Sequence, residues 1–136
     1  MSFLGKEYVL EKQENYNEFM ETLGETVSEK KRKEVMDFKA RNKVTKNGDE
    51  YTLSVTVVEG FTHEITFKSG VPFDEKIREH TSKSVITVEG DTLTHIQKFG
   101  DIVTFTHKRV YSGDTMVLTT TSSNWNGEAK RYFKAV

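Results

Sequence analysis

The chain has 136 residues, with 20 Lys and Arg against 21 Asp and Glu and a formal net charge of -1. This length predicts one domain over residues 1–136, and the balanced charge excludes a general binder of nucleic-acid phosphates, so no nucleic-acid partner is expected. Cysteine is absent, which excludes a disulfide scaffold, a thiolate zinc site and a cysteine nucleophile. Because no apolar run approaches the roughly 18 residues of a membrane span and no secretory leader pattern is present, we expect a cytoplasmic protein.

The first third of the chain predicts one strand and two short helices. The strand runs from Glu7 to Lys12, and the helices occupy about residues 15–36. Asn15, with a glutamate three residues on, is a predicted N-cap, and apolar side chains follow at helical spacing until Gly24 ends the helix. These side chains are Tyr16, Phe19, Met20 and Leu23. A second cap pattern predicts another helix over Thr26–Val35.

The rest of the chain predicts an antiparallel meander. Glycines in turn-forming contexts recur about 10 to 14 residues apart, with one double interval between Gly70 and Gly90. That spacing is typical of strand-plus-turn units, and the double interval predicts a further turn near His80-Thr81. The intervening segments alternate apolar and polar residues, and they are Lys39–Lys46, Tyr51–Val57, His63–Phe67, Val71–Ile77, Ser84–Val88, Thr92–Phe99, Val103–Tyr111, Thr115–Thr121 and Glu128–Ala135. The predicted fold is mainly β, a ten-stranded up-and-down antiparallel barrel capped by a helix-turn-helix lid.

The composition indicates that the barrel is hollow. Only 35% of the residues are hydrophobic, and many of the 17 threonines fall within predicted strands, where Thr is otherwise a common surface residue. A barrel of this strand number has room for a small ligand. The expected lining comprises Tyr16, Phe19, Met20, Leu23, Asn42, Leu53, Val55, His95, Gln97, His107, Met116, Leu118 and Thr120.

Several stretches are similar to those of a known family. They are Phe3–Lys6, Glu14–Met20, Phe73–Glu75, Thr94–Phe99 and the ending Ala129–Val136. In this combination and order the chain resembles, over its whole length, the intracellular lipid-binding proteins, which comprise the fatty-acid-binding and cellular retinoid-binding proteins. The resemblance implies a ten-stranded barrel with two capping helices and a lipid inside, and it favours the fatty-acid-binding branch.

The resemblance also implies a carboxylate-binding site. The family uses an Arg on the eighth strand and an Arg-x-Tyr pair on the tenth, which correspond to Arg109 and Arg131, with Phe133 where the family has Tyr. Guanidinium groups suit this task because they offer both charge and paired donors to a buried carboxylate. A slip of one residue on the eighth strand would put Lys108 in this place instead of Arg109.

The hollow barrel and, above all, the family resemblance imply a non-catalytic, monomeric carrier of long-chain fatty acids without a cofactor. A retinoid carrier is the alternative within the same fold. An enzyme of similar shape is disfavoured because no nucleophile or acid–base set is evident, and a membrane-bridging interaction protein is a further alternative. His63, His95 and His107 share an inward phase and are interpreted as polar cavity groups, the other interpretation being a three-histidine metal site. We expect no metal.

Two features concern ligand exchange. Phe61 is a candidate gate beside the first helix, which is interpreted as a moving door or as a fixed plug. Lys30, Lys31, Arg32 and Lys33 form a basic run on the second helix. This run is interpreted as a docking patch for transient contact with anionic membranes or as a solvated face, and a nuclear-import signal is a weaker interpretation.

Overall fold

The computed structural model describes residues 2–77 and 79–136. It contains ten strands, two α-helices and a short 3-10 turn at Gly24–Thr26. The α-helices are α1 (Tyr16–Glu21) and α2 (Glu29–Asp37). The strands are β1 (Glu7–Glu14), β2 (Arg41–Asn47), β3 (Glu50–Val58), β4 (Phe61–Lys68), β5 (Phe73–Ile77), β6 (His80–Glu89), β7 (Thr92–Phe99), β8 (Val103–Ser112), β9 (Thr115–Ser122) and β10 (Trp125–Ala135).

All ten strands form one sheet in the order β4-β3-β2-β1-β10-β9-β8-β7-β6-β5. Neighbours are antiparallel, and the pairing of β1 with β10 joins the two ends of the chain. The predicted up-and-down barrel with two capping helices is confirmed. The edge strands β4 and β5 share no backbone ladder in the part of the chain that the structure describes, so the barrel is nearly closed.

One predicted turn is misplaced. The turn expected near His80-Thr81 lies earlier, because β6 begins at His80 and Glu79 is in the turn. The inward residues at this end of β6 are Ser82 and Ser84, both buried. Because these inward residues are polar, this end of β6 lacks the alternation of apolar and polar residues by which a strand is recognised in a sequence.

The first strand contains a β-bulge. Leu10 pairs with Phe133 and Lys12 pairs with Tyr132, so Glu11 is an extra residue in β1. The strand continues past its predicted end at Lys12 to Glu14. An extra residue reverses which side chains face inward, because the side-chain period of a strand is two.

The two helices begin differently. Ser28 caps α2, two residues after the predicted start at Thr26, since its Oγ atom accepts a hydrogen bond from the Lys31 backbone N–H at 3.1 Å. Asn15 precedes α1 but makes no side-chain cap bond. It adopts a left-handed conformation with φ of 58°, and its Nδ2 atom donates instead to the Glu128 carbonyl at 3.2 Å. Asn15 therefore ties the start of α1 to β10.

Packed apolar side chains form two separate clusters. The larger one comprises Phe3, Tyr8, Leu10, Ala40, Val44, Tyr51, Leu53, Ile65, Phe67, Ile86, Leu93, Tyr111, Met116, Leu118 and Phe133. The smaller one lies under the helices and comprises Phe19, Met20, Val35, Val58 and Ala129. Buried polar and charged residues, Glu75, His95 and Arg109 among them, belong to neither cluster. The low apolar content of the sequence thus reflects a barrel that has two apolar clusters and, apart from them, a polar interior.

Candidate ligand-binding site

The register of three neighbouring strands aligns the two predicted arginines. Arg109 on β8 and Arg131 on β10 both pair with Leu118 on β9. Since neighbouring strands lie about 4.8 Å apart, the Arg109 and Arg131 backbones are roughly 10 Å apart along the barrel wall. Both side chains line the interior cavity, whereas Lys108 is exposed, so the predicted register of β8 is correct. Phe133 also lines the cavity.

Arg109 has unused hydrogen-bond donors. Its side chain is buried, and its Nε and Nη1 groups have no hydrogen-bond partner among the described residues. Burial lowers the pKa of this guanidinium, and the nearby Tyr111, Tyr16 and Glu75 side chains oppose that shift. A buried cation is costly unless it meets an acceptor of opposite charge. The site is therefore suited to an anion.

Arg131 is only 1% exposed and is held by several neighbours. Its Nε atom donates to Gln13 Oε1 at 2.9 Å, and its Nη2 atom donates to the Val35 carbonyl at 3.5 Å. The Tyr16 ring lies 3.8 Å from the guanidinium carbon. Burial lowers the pKa of Arg131, and Tyr16 opposes that shift. Arg131 thus combines a cavity-lining position with fixed contacts to the helices.

Glu75 on β5 is the centre of a buried network that the sequence analysis did not predict. Its Oε2 atom accepts hydrogen bonds from His63 at 2.9 Å and Gln97 at 3.1 Å. Its Oε1 atom accepts from His95 at 2.8 Å and Ser84 at 2.9 Å. Burial by itself would raise the pKa of Glu75, but these donors outweigh it and hold the pKa well below its ordinary value. Glu75 is therefore an ionised carboxylate inside the barrel.

The network continues to His107 and fixes its tautomer. His107 Nε2 lies 2.7 Å from Gln97 Oε1, which only accepts, so the Nε2 atom carries the proton. His107 Nδ1 then accepts from the Thr120 hydroxyl at 3.0 Å. Burial lowers the pKa of both His95 and His107, which keeps the two rings neutral near pH 7. The predicted role of the histidines as partnered polar groups matches this arrangement.

The charges of the buried groups do not balance. Two guanidinium groups, Arg109 and Arg131, and one carboxylate, Glu75, contribute a net charge of about +1 to the interior. Because His95 and His107 are neutral, they leave this sum unchanged. One ligand carboxylate would neutralise the interior, which is favourable because charges interact strongly where water is excluded.

The interior cavity has a volume of about 210 Å³. Predicted residues that line it are Tyr16, Asn42, Leu53, Val55, Phe61, His95, Gln97, His107, Arg109, Leu118, Thr120, Arg131 and Phe133. The structure adds further lining residues, including Ile65 and Ile77 beside His63 and Glu75. Asn42 is 2% exposed, and its Oδ1 atom has no hydrogen-bond partner among the described residues.

Four residues predicted to line this cavity lie elsewhere. Phe19 packs against Phe105 and Trp125 at 5.6 and 5.9 Å between ring centroids and seals the barrel under α1. Met116 is fully buried in the larger apolar cluster, beside its cross-strand partner Phe133. Met20 lines a second space below the helices, and Leu23 lines a surface groove beside β8. The apolar face of the short helix α1 therefore packs mainly against the strands and contributes little to the lining of the interior cavity.

Phe61 lies at a boundary between two spaces. The second space, of about 450 Å³, is bounded by the helices and by the ends of β3 and β5. It shares Tyr16, Val57, Phe61 and Ile77 with the interior cavity. Phe61 is 43% exposed. This position is compatible with a gate between the cavity and the space below the helices.

The basic run on α2 is partly neutralised by its own helix. Lys31 forms an ion pair with Glu34 at 3.0 Å, and Lys33 forms one with Asp37 at 3.3 Å. Among the described residues, no acidic partner lies within ion-pair distance of Lys30 or Arg32. The unpaired positive charge of the helix is thus concentrated on these two side chains.

Comparison with known proteins identifies the family. No protein-family model matches the chain. Fatty acid-binding protein 2 of Manduca sexta is 44% identical over 136 residues, which covers 99% of this chain and 100% of that protein. The chain belongs to the fatty-acid-binding protein family. This finding supports the fatty-acid-binding branch over the retinoid-binding one.

Solved structures of family members have the same fold. The fatty-acid-binding protein isolated from Manduca sexta has a TM-score of 0.85 at 43% identity, with 98% of this chain and 100% of that chain covered. A Schistosoma mansoni fatty acid binding protein in complex with arachidonic acid has a TM-score of 0.86 at 30% identity, with 99% and 96% covered. In the present protein, no helix within residues 2–77 and 79–136 is sufficiently long and apolar to cross a bilayer.

Proposed function

We propose that this protein is a non-catalytic carrier of a long-chain fatty acid, with the carboxylate between Arg109 and Arg131 and the tail extending toward Phe61. The observation that supports this most directly is the buried Arg109 guanidinium with two N–H groups that lack partners. The surplus positive charge of the interior supports it as well. The wall between Leu53, Ile65 and Phe61 offers apolar contacts to an alkyl tail.

The expected affinity follows from burial of the tail. At about 0.8 kcal/mol per buried CH2 group, a sixteen-carbon chain contributes on the order of 12 kcal/mol. Loss of translational freedom and ordering of the chain offset part of this, which leaves micromolar or tighter binding. The tail would pass from the interior cavity past Phe61 toward the second space. The proposed working form is a cytoplasmic monomer.

Titration of the delipidated protein with palmitate, methyl palmitate and retinoic acid tests the proposal. Calorimetry should give at least tenfold tighter binding for palmitate than for its methyl ester, because only the acid places a charge at Arg109. Retinoic acid should bind more weakly than palmitate. Equal affinity for palmitate and the ester would contradict the carboxylate site, and tighter binding of retinoic acid would contradict the substrate class. Hydrolysis of the ester during the titration would contradict the non-catalytic assignment.

We also infer a transient contact between α2 and anionic membranes during ligand transfer. Lys30 and Arg32 support it because no ion pair within the described residues neutralises them, and each cation near an anionic surface contributes about 1 kcal/mol. Transfer of a fluorescent fatty acid to phosphatidylserine-containing vesicles should accelerate with vesicle concentration and slow with salt.

Matched variants separate docking from loss of charge. Lys30→Ser combined with Arg32→Ser should slow the transfer several-fold. The control, Lys43→Ser combined with Lys134→Ser, removes the same charge from exposed strand positions and should have little effect. A transfer rate that is independent of vesicle concentration would mean that the ligand dissociates into water, and the basic run would then be a solvated face.

A further inference from the structure

The C-terminal end of α2 depends on residues outside the helix. The last hydrogen bond within α2 runs from the Phe38 N–H to the Glu34 carbonyl. The next carbonyls, of Val35 and Met36, belong to the last turn, whose carbonyls have no partner within a helix. No basic residue lies in this turn, so α2 supplies no cation of its own for the negative end of its dipole.

Two residues of the barrel wall, on β1 and β10, complete this helix end. Arg131 Nη2 donates to the Val35 carbonyl at 3.5 Å, and Gln13 Nε2 donates to the Met36 carbonyl at 3.2 Å. Gln13 Oε1 in turn accepts from Arg131 Nε at 2.9 Å. A guanidinium and an amide therefore cap α2 as one hydrogen-bonded unit, and the positive charge faces the negative end of the helix dipole.

The same guanidinium contacts α1. The Tyr16 ring at the start of α1 covers the Arg131 guanidinium at 3.8 Å from its carbon atom, a cation–π contact in a desolvated place. Arg131 thus touches both helices, and it lines the interior cavity together with Arg109. Its Nη1 group makes no hydrogen bond to the described residues.

We propose that Arg131 couples the ligand's headgroup to the helices: a carboxylate bound at its Nη1 side strengthens the cap on α2 and holds the helices closed. The proposal rests on the proposed function. The guanidinium is charged with or without a ligand, and a carboxylate at its Nη1 side forms charge-assisted hydrogen bonds that fix its orientation, so that its Nη2 donor stays directed at the Val35 carbonyl. Gln13 is the positioning residue, because it fixes the guanidinium between the helix end and the cavity.

The coupling has a reciprocal consequence. If the carboxylate stabilises the closed helices, closed helices must strengthen carboxylate binding by the same factor. An acid and its methyl ester place the same tail in the cavity, so any difference between their effects on α2 originates at the headgroup. The difference between acid and ester therefore isolates the coupling from the simple presence of a tail.

Hydrogen exchange of the intact protein, followed by mass spectrometry, measures this difference. Peptides that cover residues 29–40 are compared at saturating palmitate and at saturating methyl palmitate. We expect palmitate to slow exchange in these peptides at least threefold more than the ester, with no such difference in β6 and β7. Equal protection by palmitate and ester would overturn the coupling.

Three variants identify the residues that carry the coupling. Arg131→Gln should abolish the difference between acid and ester in residues 29–40. Gln13→Glu keeps an acceptor for Arg131 but loses the donor to the Met36 carbonyl, and it should speed exchange of α2 in the ligand-free protein. Lys12→Gln, on the exposed side of β1, is the matched control and should leave exchange unchanged. A full acid–ester difference in Arg131→Gln would overturn the assignment to Arg131.

The outcomes separate this inference from the proposed function. If palmitate does not bind, the carrier function fails and no protection of any segment appears. If palmitate binds more tightly than its ester but protects residues 29–40 equally, the carrier function stands and the coupling fails. A circular dichroism spectrum of each variant shows whether the barrel is folded, and Gln13→Leu provides a second test if Gln13→Glu does not fold.

Discussion

His63 on β4 donates a hydrogen bond to Glu75 on β5, with 2.9 Å between its Nε2 atom and the Glu75 Oε2 atom. These are the two edge strands, and no backbone ladder joins them in the described part of the chain. A side-chain bond to an ionised, buried carboxylate therefore spans the break in the barrel wall. Glu75 is anchored from β6 and β7 as well, so the bond ties β4 to the opposite edge of the sheet.

Removal of this bond should weaken the seam between the two edge strands. We expect His63→Leu to lower the free energy of unfolding by about 1–2 kcal/mol, since a hydrogen bond to a charged group contributes about 1.5–3 kcal/mol and the His63 side chain is partly exposed. Amide exchange in β4 and β5 should become faster. Urea unfolding and hydrogen exchange measure the two effects.

His80→Leu is the matched control for that substitution. His80 is exposed at the start of β6 and makes no hydrogen bond to the described residues, so its loss should change the free energy of unfolding by less than 0.5 kcal/mol, the usual range at surface positions. If both histidine variants were equally stable, the side-chain bond across the gap would contribute nothing to stability.

Stability should fall with acid in two stages. The pKa values of His95 and His107 are lowered from 6.5 in the folded protein, so below about pH 6.5 the unfolded chain binds protons that the folded chain does not. Unfolding is then favoured by up to about 1.4 kcal/mol per pH unit for each histidine. The pKa of Glu75 is lowered from 4.5, so its contribution is present above that pH and is lost as the pH falls further.

Urea titrations between pH 8 and pH 3 measure this dependence. His107→Gln keeps hydrogen-bonding capacity toward Gln97 and Thr120 but does not titrate, so its stability should decline less steeply between pH 6.5 and pH 5. A variant curve parallel to that of the unaltered protein would show that His107 does not bind a proton on unfolding in this range.

The Arg109 side chain should lower the stability of the ligand-free protein and should be necessary for tight binding of palmitate. Arg109→Met keeps the apolar stem but removes the unpartnered guanidinium, and we expect it to raise the free energy of unfolding of the ligand-free protein by about 1 kcal/mol. The same change should weaken palmitate binding about 10- to 150-fold, equivalent to 1.5–3 kcal/mol, and leave methyl palmitate unaffected. Thermal unfolding and calorimetry test both signs. A variant that is both less stable and unaltered in palmitate affinity would refute this role.

Phe133→Tyr tests the position where the family has a tyrosine. Phe133 is 3% exposed and lines the cavity two residues after Arg131, so a new hydroxyl would lie close to the headgroup. We expect palmitate to bind about fivefold tighter, equivalent to about 1 kcal/mol for one added hydrogen bond, and the ester to change less. Weaker binding of palmitate would mean that the headgroup site is built around the absence of the hydroxyl. Calorimetry on the same preparation provides the comparison.

The sequence predicts the features that follow from alternation and turn chemistry. Glycine spacing identified the meander, and the family resemblance, together with the alternation of β8 and β10, assigned Arg109, Arg131 and Phe133 to the inner face. The inward histidines followed from the same phase. These features are local, since a strand of period two decides which side each residue faces.

The polar network could not be predicted in the same way. Glu75 lies two residues after Phe73 on the inward phase of β5, but a glutamate at that place is ordinarily assigned to the surface. Its burial depends on donors from β4, β6 and β7, which only the closed barrel brings together. The helix residues Phe19 and Leu23 were assigned to the cavity because their shared apolar face does not reveal which of them packs against strands.

Because of the bulge at Glu11, even-numbered residues face inward in the first half of β1 and odd-numbered residues face inward in the second half. Before it, Tyr8 and Leu10 face the apolar cluster, and after it the odd-numbered Gln13 faces inward, opposite Arg131. Deletion of Glu11 would leave Gln13 itself unchanged but would direct its amide to the outside of the barrel. The extra residue thus brings the Gln13 amide to the Met36 carbonyl and to Arg131, and a change of strand length here would remove both contacts.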